Sequence, residues 1–344
     1  MSAPDTASPQ PTVPGENAAA QPTVPGANAA PRLAVLGENV VDFLPLGDDA
    51  FRAVAGGGPA NIAVAAVRLG VPTALMARTG GGPMGELVLR RLRAEGVDER
   101  HLVRTAESTA LAIAAVGADG GASYDFRLGD AADWNWTEAD LPERLDPAIT
   151  ALHTGSIAAL RSPGADTVEA LLRRERERGG VTIGFDPNMR PAVVDPLPQS
   201  RARAERLAGL AHLVKVSDED LDHLYPGVGA EEAARSLLER GPGLVVVTKG
   251  GAGAVALTRD ERVAVAAPKV EVADTVGAGD TFMGALLWRL DTADLLRGAD
   301  LGALGADTLA DLLSYAAAAA ACVVTRPGAD PPTPEEVESR RLRD

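Results

Sequence analysis

The chain has 344 residues, a formal charge of -15, four histidines and a single cysteine, Cys322. An acidic balance of this size disfavours nucleic acid and anionic membrane surfaces as partners, and one cysteine excludes an intrachain disulfide. The histidines show no pair at metal-ligand spacing, so no protein-only zinc cage is indicated, and Cys322 reads as a small buried hydrophobe in an alanine-rich helix.

In chain order, residues 1 to 30 are rich in Pro, Ala and small polar residues, and the decapeptide that starts at Gln10 returns almost unchanged at Gln21. Such a segment cannot bury enough apolar surface to order itself and is expected to be disordered. It lacks the basic start and apolar core of a secretion signal, and the alanine-rich stretch near 316 reads as too weakly apolar for a membrane span, which together suggest a cytoplasmic protein. Residues 31 to 344 are expected to form one large domain. Strands are predicted at Leu33 to Leu36, Ala74 to Ala77, Ala151 to Thr154, Val181 to Phe185, Leu213 to Val216 and Leu244 to Thr248. They alternate with helices near 60 to 69, 86 to 95, 164 to 178, 200 to 208 and 230 to 240, the pattern of an α/β doubly wound, mostly parallel sheet. Residues 40 to 55 and about 101 to 128 break the alternation and read as short strands joined by glycine turns.

Two glycine-rich segments open helices and carry chemistry. In Gly56-Gly57-Gly58-Pro59-Ala60-Asn61 the glycines mark a close approach of backbone to another group, and Asn61 offers the donor and acceptors needed to read a sugar hydroxyl. In Asp274-Thr275-Val276-Gly277-Ala278-Gly279-Asp280 the backbone N–H groups of Gly277, Ala278 and Gly279, with the positive end of the following helix, form an anion hole. A carboxylate at that point, Asp280, repels an anion unless it accepts a proton from an attacking hydroxyl, which makes the segment a phosphoryl-transfer site; the alternative is that Asp280 only caps the helix. A third run, Gly80-x-Gly82-x-x-Gly85, satisfies the dinucleotide fingerprint, but no strand ending in an acidic residue lies about twenty residues on, so an NAD-dependent oxidoreductase is set aside.

With both signatures in this order, the chain resembles the ribokinase-like (pfkB) carbohydrate kinases over roughly residues 32 to 338. The resemblance implies ATP and magnesium as cofactors, a sugar as acceptor, and a small β-lid formed by the two irregular stretches. It implies that Asp42, Gly57 and Asn61 hold the sugar, with Arg127 either touching it or sitting at the lid edge. Ser217, Thr248, Lys249, Gly250 and Gly253 would line the nucleotide; Lys249 either neutralises phosphate charge or is a solvated strand-end lysine. In place of the family's Asn-x-x-Glu element stand Ser217 and Asp220, so Asp220 rather than Glu219 would serve magnesium through water. Asp274 would help bind a monovalent cation such as potassium, or only hold its own turn. Phe185-Asp186-Pro187-Asn188-Met189-Arg190-Pro191 and His153-Thr154-Gly155-Ser156-Ile157-Ala158 resemble the fructokinase branch, while the glycines at 80 to 82 replace aspartates usual in relatives. D-fructose, converted to fructose 6-phosphate, is therefore the expected substrate. The alternatives are a keto-deoxy-gluconate kinase, a ribokinase or a nucleoside kinase, or a sugar-binding regulator without turnover. A homodimer through lid edge strands is expected.

Overall fold

The computed structural model describes residues 29–343 apart from 48–49, 117–121, 130 and 299, so the expected disorder of residues 1 to 30 falls almost entirely outside the described residues. In chain order the elements are β1 (Leu33–Leu36), β2 (Val41–Pro45), β3 (Phe51–Ala55), α1 (Gly58–Arg68), β4 (Thr73–Gly80), α2 (Gly82–Ala94), β5 (Leu102–Thr105), β6 (Leu111–Val116) and β7 (Ala122–Arg127). There follow β8 (Ala151–Gly155), α3 (Ser156–Leu160), α4 (Gly164–Arg178), β9 (Thr182–Asp186), α5 (Leu197–Leu210), β10 (Leu213–Ser217), α6 (Asp218–Leu224) and α7 (Ala230–Leu238). The last are β11 (Leu244–Thr248), β12 (Ala254–Leu257), β13 (Arg262–Val265), α8 (Ala278–Thr292), α9 (Ala306–Val323) and α10 (Pro334–Arg341).

Nine strands form one sheet in the order β13-β12-β11-β10-β9-β8-β1-β4-β5, parallel except where β12 meets β11 and β13. This is the doubly wound α/β sheet expected from the alternation of strands and helices. Along β1 all four residues are buried, and they divide between two cores: Leu33 and Val35 pack with α1, α8 and α9, whereas Ala34 and Leu36 pack with α4, α5 and α7. Burial on both faces is why the parallel strands read as unbroken apolar runs. A second sheet, β3-β2-β6-β7, is built from the irregular stretches. Residues 102 to 105, expected there, instead form β5 and extend the large sheet beside β4, because Leu102 and Val103 continue the parallel ladder at Ala77 and Arg78.

Helix α9 is long and apolar enough by length and composition to cross a membrane, with a mean hydropathy of 1.3, so the reading of this stretch as too weakly apolar is corrected. Its apolar residues, among them Leu309, Leu312, Leu313 and Tyr315, lie in the core against α8, and the Tyr315 ring stacks on Trp288 with centroids 4.4 Å apart. Helix α8 in turn lies against α1 at small residues: a Cβ on Gly284 would stand 2.7 Å from the Ala65 Cβ and 3.1 Å from the Ile62 carbonyl oxygen. This contact lies one turn below Asn61 on one helix and one turn below Asp280 on the other.

Candidate active site

The glycine run that opens α1 is pressed from three directions. A Cβ on Gly56 would lie 2.2 Å from Asp42 Oδ2, one on Gly57 2.7 Å from the Glu38 carbonyl oxygen, and one on Gly58 2.8 Å from Asn188 Nδ2 and 3.3 Å from Asp280 Oδ1. Gly57 also has φ of +100°, a conformation other residues adopt only at a cost. Asp42, Asn61 and Asp280 thus come together from β2, α1 and α8 although 238 residues separate the first from the last. Asn61 Nδ2 donates to Asp280 Oδ2 at 2.9 Å, and Oδ1 of Asp280 faces Gly58. No side chain caps α8, whose N-cap is Gly277.

Desolvation raises the pKa of Asp280 although part of its surface stays open at the mouth of the site, and the Asn61 hydrogen bond with the charges of Lys215 and Arg190 opposes the rise. Asp42 is pushed up to about 6, chiefly by burial; Arg91 opposes this and the Asp280 charge adds to it. Two carboxylates in one cleft with raised proton affinity are suited to accepting hydrogen bonds or protons from hydroxyl groups.

Gly277 has φ of +79° and a Cβ there would meet the Ala329 Cβ at 2.7 Å, so both conformation and space require glycine. It turns the chain so that the first amides of α8 face outward, where the helix supplies no acceptor for them. The Ala278 N–H is taken up by the Thr275 carbonyl at 3.3 Å, a long bond that an anion could displace. Below this turn lies a group that sequence reasoning missed: Lys215 Nζ is 2.8 Å from Asp186 Oδ2, both side chains are buried, and a Cβ on Gly279 would be only 3.1 Å from the ammonium. Burial disfavours the Lys215 charge, but Asp186 first, then Asp220 and Asp280, more than offset it and raise its pKa. A lysine inside the apolar strand Leu213-Val214-Lys215-Val216 demands a partner, which was the available signal.

Asp274 holds its own turn, Oδ1 accepting from the Val276 N–H at 3.0 Å and Oδ2 from the Gly328 N–H at 2.7 Å. Asp220 is similarly occupied. It forms a capping box with Ser217, whose Oγ accepts from the Asp220 N–H at 2.9 Å, while Asp220 Oδ2 accepts from the Ser217 N–H at 3.3 Å and Oδ1 from the Met189 N–H at 2.8 Å. Ser217 and Thr248 are paired neighbours at the C-terminal ends of β10 and β11, where open α/β sheets bind ligands. Lys249 Nζ is 3.6 Å from Glu231, and the turn through Gly250 to Gly253 joins β11 to β12. Gly253 has φ of +94° and its missing Cβ would strike the Val265 carbonyl oxygen. Among the described residues no three His, Cys, Asp or Glu side chains gather as a metal cage.

Arg127 is not brought to the cluster. Register places Asp42, Ala112 and Phe126 in line across the small sheet, so Arg127 points to the opposite face, where it is exposed and pairs with Asp125 at 2.5 Å. The other missed residue is Arg91 of α2, which reaches Asn61 Oδ1 at 3.0 Å.

The model of the pfkB family of carbohydrate kinases matches residues 30–336. A fructokinase of Rhizobium leguminosarum bv. trifolii is 38% identical over 274 residues, covering 78% of this chain and 83% of that protein. Among solved structures, the fructokinase of Xylella fastidiosa with bound ATP superposes with a TM-score of 0.83 at 28% identity, covering 90% of this chain and 98% of that one. The fructokinase of Vibrio cholerae O395 bound to fructose, ADP and a calcium ion gives a TM-score of 0.79 at 31% identity, with the same coverage.

Proposed function

The chain belongs to the pfkB family of carbohydrate kinases, and from that premise we propose that it transfers the γ-phosphoryl group of ATP to the 6-hydroxyl of D-fructose. The observation that carries the mechanism is the carboxylate of Asp280 at the N-terminus of α8, joined to Asn61 at 2.9 Å. The hydroxyl proton passes to Asp280, the hydroxyl oxygen attacks the γ-phosphorus, and the bond to the bridging oxygen breaks so that ADP leaves with that electron pair. The amides of Gly277, Ala278 and Gly279 stabilise the transferred group, and the Lys215 cation beneath Gly279 supports the same negative charge. Asp42, the Gly57 backbone and the remaining N–H of Asn61 hold the sugar. Ser217, Thr248, Lys249, Gly250 and Gly253 line the nucleotide. Each Asp220 oxygen accepts one backbone bond and keeps a further lone pair that would take a metal-bound water, which fits magnesium's habit of keeping its waters. Magnesium would supply charge neutralisation on the nucleotide phosphates. The small sheet acts as a lid that excludes water, the protein works in the cytoplasm, and a homodimer pairs such lids. Potassium beneath the Asp274 turn would order the amides above it.

A neutral sugar is favoured over keto-deoxy-gluconate by what the nearby arginines do. A carboxylate substrate needs a guanidinium fork. Arg78 is spent on Asp140, Glu107 and the Ala132 carbonyl and Arg127 on Asp125, while Arg190 gives NH1 to the Met189 carbonyl at 2.8 Å and its charge is already met by Asp42 and Asp280. The test compares kcat/KM for fructose, ribose, a nucleoside and keto-deoxy-gluconate at one ATP concentration. Fructose should lead; an advantage of about tenfold or more for the acid, the size of one good pocket contact, would overturn the fructose assignment.

A further inference from the structure

We propose that Arg91 is a positioning residue for phosphoryl transfer, which sets the protonation of Asp280 by fixing the orientation of the Asn61 carboxamide. The inference rests on the reading of Asp280 as the base. Arg91 projects from α2 and its NH1 donates to Asn61 Oδ1 at 3.0 Å and to the Ala55 carbonyl at 2.5 Å, while NH2 donates to the Ala329 carbonyl at 3.2 Å. The same guanidinium therefore bonds the end of β3, the first turns of α1 and the segment that packs on Gly277.

An amide can present either end to a carboxylate, and the choice has opposite consequences. A guanidinium only donates, so the atom it meets must be Oδ1, and Nδ2 is thereby turned toward Asp280. A donor facing Asp280 stabilises its ionised form, the state that can accept a proton. If Arg91 is removed, the amide is free to rotate and present Oδ1, which stabilises protonated Asp280 instead. The other groups facing Asp280 cannot replace this control: Lys215 of β10 is held by Asp186 of β9, Arg190 lies in the loop after β9 and donates to its own neighbours, and Asp42 of β2 carries the wrong sign.

The experiment measures kcat against pH for the intact protein and for Arg91→Met and Arg91→Lys, at saturating ATP and sugar, together with Tm. The sugar is fructose, or whichever substrate the panel above selects, so a wrong sugar assignment is seen in the intact protein before any variant is made. Arg91→Met should move the acidic limb upward by about one pH unit, since a hydrogen bond to a charged group is worth roughly that much. The loss should approach roughly tenfold on the acidic side of the limb and vanish on its alkaline plateau, and Arg91→Lys, also donor-only, should restore the limb. In an Asn61→Leu background Arg91→Met should shift nothing further. If Arg91→Met does not fold, Arg91→Leu, which likewise carries no donor, is read in the same way. A uniform loss of kcat at every pH, or a lower Tm with an unmoved limb, would show Arg91 to be merely structural and overturn the proposal.

Discussion

Replacing Asp280 by Asn separates the role of a base from that of a helix cap because the two predict different changes in stability and in turnover. The carboxamide keeps an oxygen for Asn61 Nδ2, now 2.9 Å from the carboxylate, so sugar and nucleotide binding should stay within a few-fold of the parent. Turnover should fall by roughly 10² to 10⁴, about 3 to 5 kcal/mol of transition-state stabilisation. Stability should rise at pH 7. Burial is the largest influence on Asp280 and raises its pKa, so its contribution to stability is fully present below the unfolded value of 3.8 and is lost as pH rises through the folded value. Ionised Asp280 therefore costs stability at neutral pH, and a neutral Asn removes that cost. The gain in Tm should shrink toward acid as the parent takes up its own proton. Calorimetry across pH, a coupled ADP-release assay and titration with fructose read all three quantities. A helix-capping Asp280 would instead leave Tm unchanged, because Asn caps a helix as well as Asp does. That result, or turnover kept within tenfold, would refute the assignment.

Asp42 accepts hydrogen bonds fully only when ionised, so KM for fructose should rise as pH falls through about 6, and Asp42→Asn should bind weakly with a flat profile. Its raised pKa also means that its own stabilising contribution lies below 3.8 and is gone above about 6, so Tm and affinity should move in opposite directions with pH. Lys215→Met leaves Asp186 buried without its cation and should cost about 3 to 5 kcal/mol, whereas adding Asp186→Leu should recover stability but not turnover; recovery of both would remove Lys215 from the mechanism. Potassium should raise activity relative to a bulky organic cation at matched ionic strength, and equal rates would leave Asp274 with only its turn to hold.

Six of the nine strands of the large sheet, β1, β4 and β8 to β11, were legible as short, mainly apolar runs between turns, whereas β12 and β13 went unread because they form a short antiparallel hairpin whose outer strand alternates between exposed and half-buried residues; the proposed anion hole stood out because its glycines and carboxylate are contiguous. What escaped reading depends on atoms far apart in sequence. Arg91 looks like any surface arginine of an amphipathic helix, and only the arrival of Asn61, Ala55 and Ala329 around it makes it part of the site. Arg127 shows the reverse. Strict alternation along β7 puts it on the face away from Asp42, and period-two counting from Phe126 could have shown this once the register was known. Ser217 and Asp220 carry a local signal of their own, a capping box that starts α6, beside their likeness to a metal-binding element.

The distance between Asp280 and its hydrogen-bond donor is not set by the active site alone. Asn61 and Asp280 each stand one turn above Ala65 and Gly284, where α1 and α8 are packed too tightly for another methyl group. The thickness of two small side chains in the interior thus works as a spacer for the chemistry at the surface. Adaptation to heat or cold has a handle there that no inspection of ligand contacts would reveal: a methyl group gained at Gly284 or lost at Ala65 would widen or narrow the pair from behind, retuning the proton transfer proposed for Asp280 without touching the cleft itself.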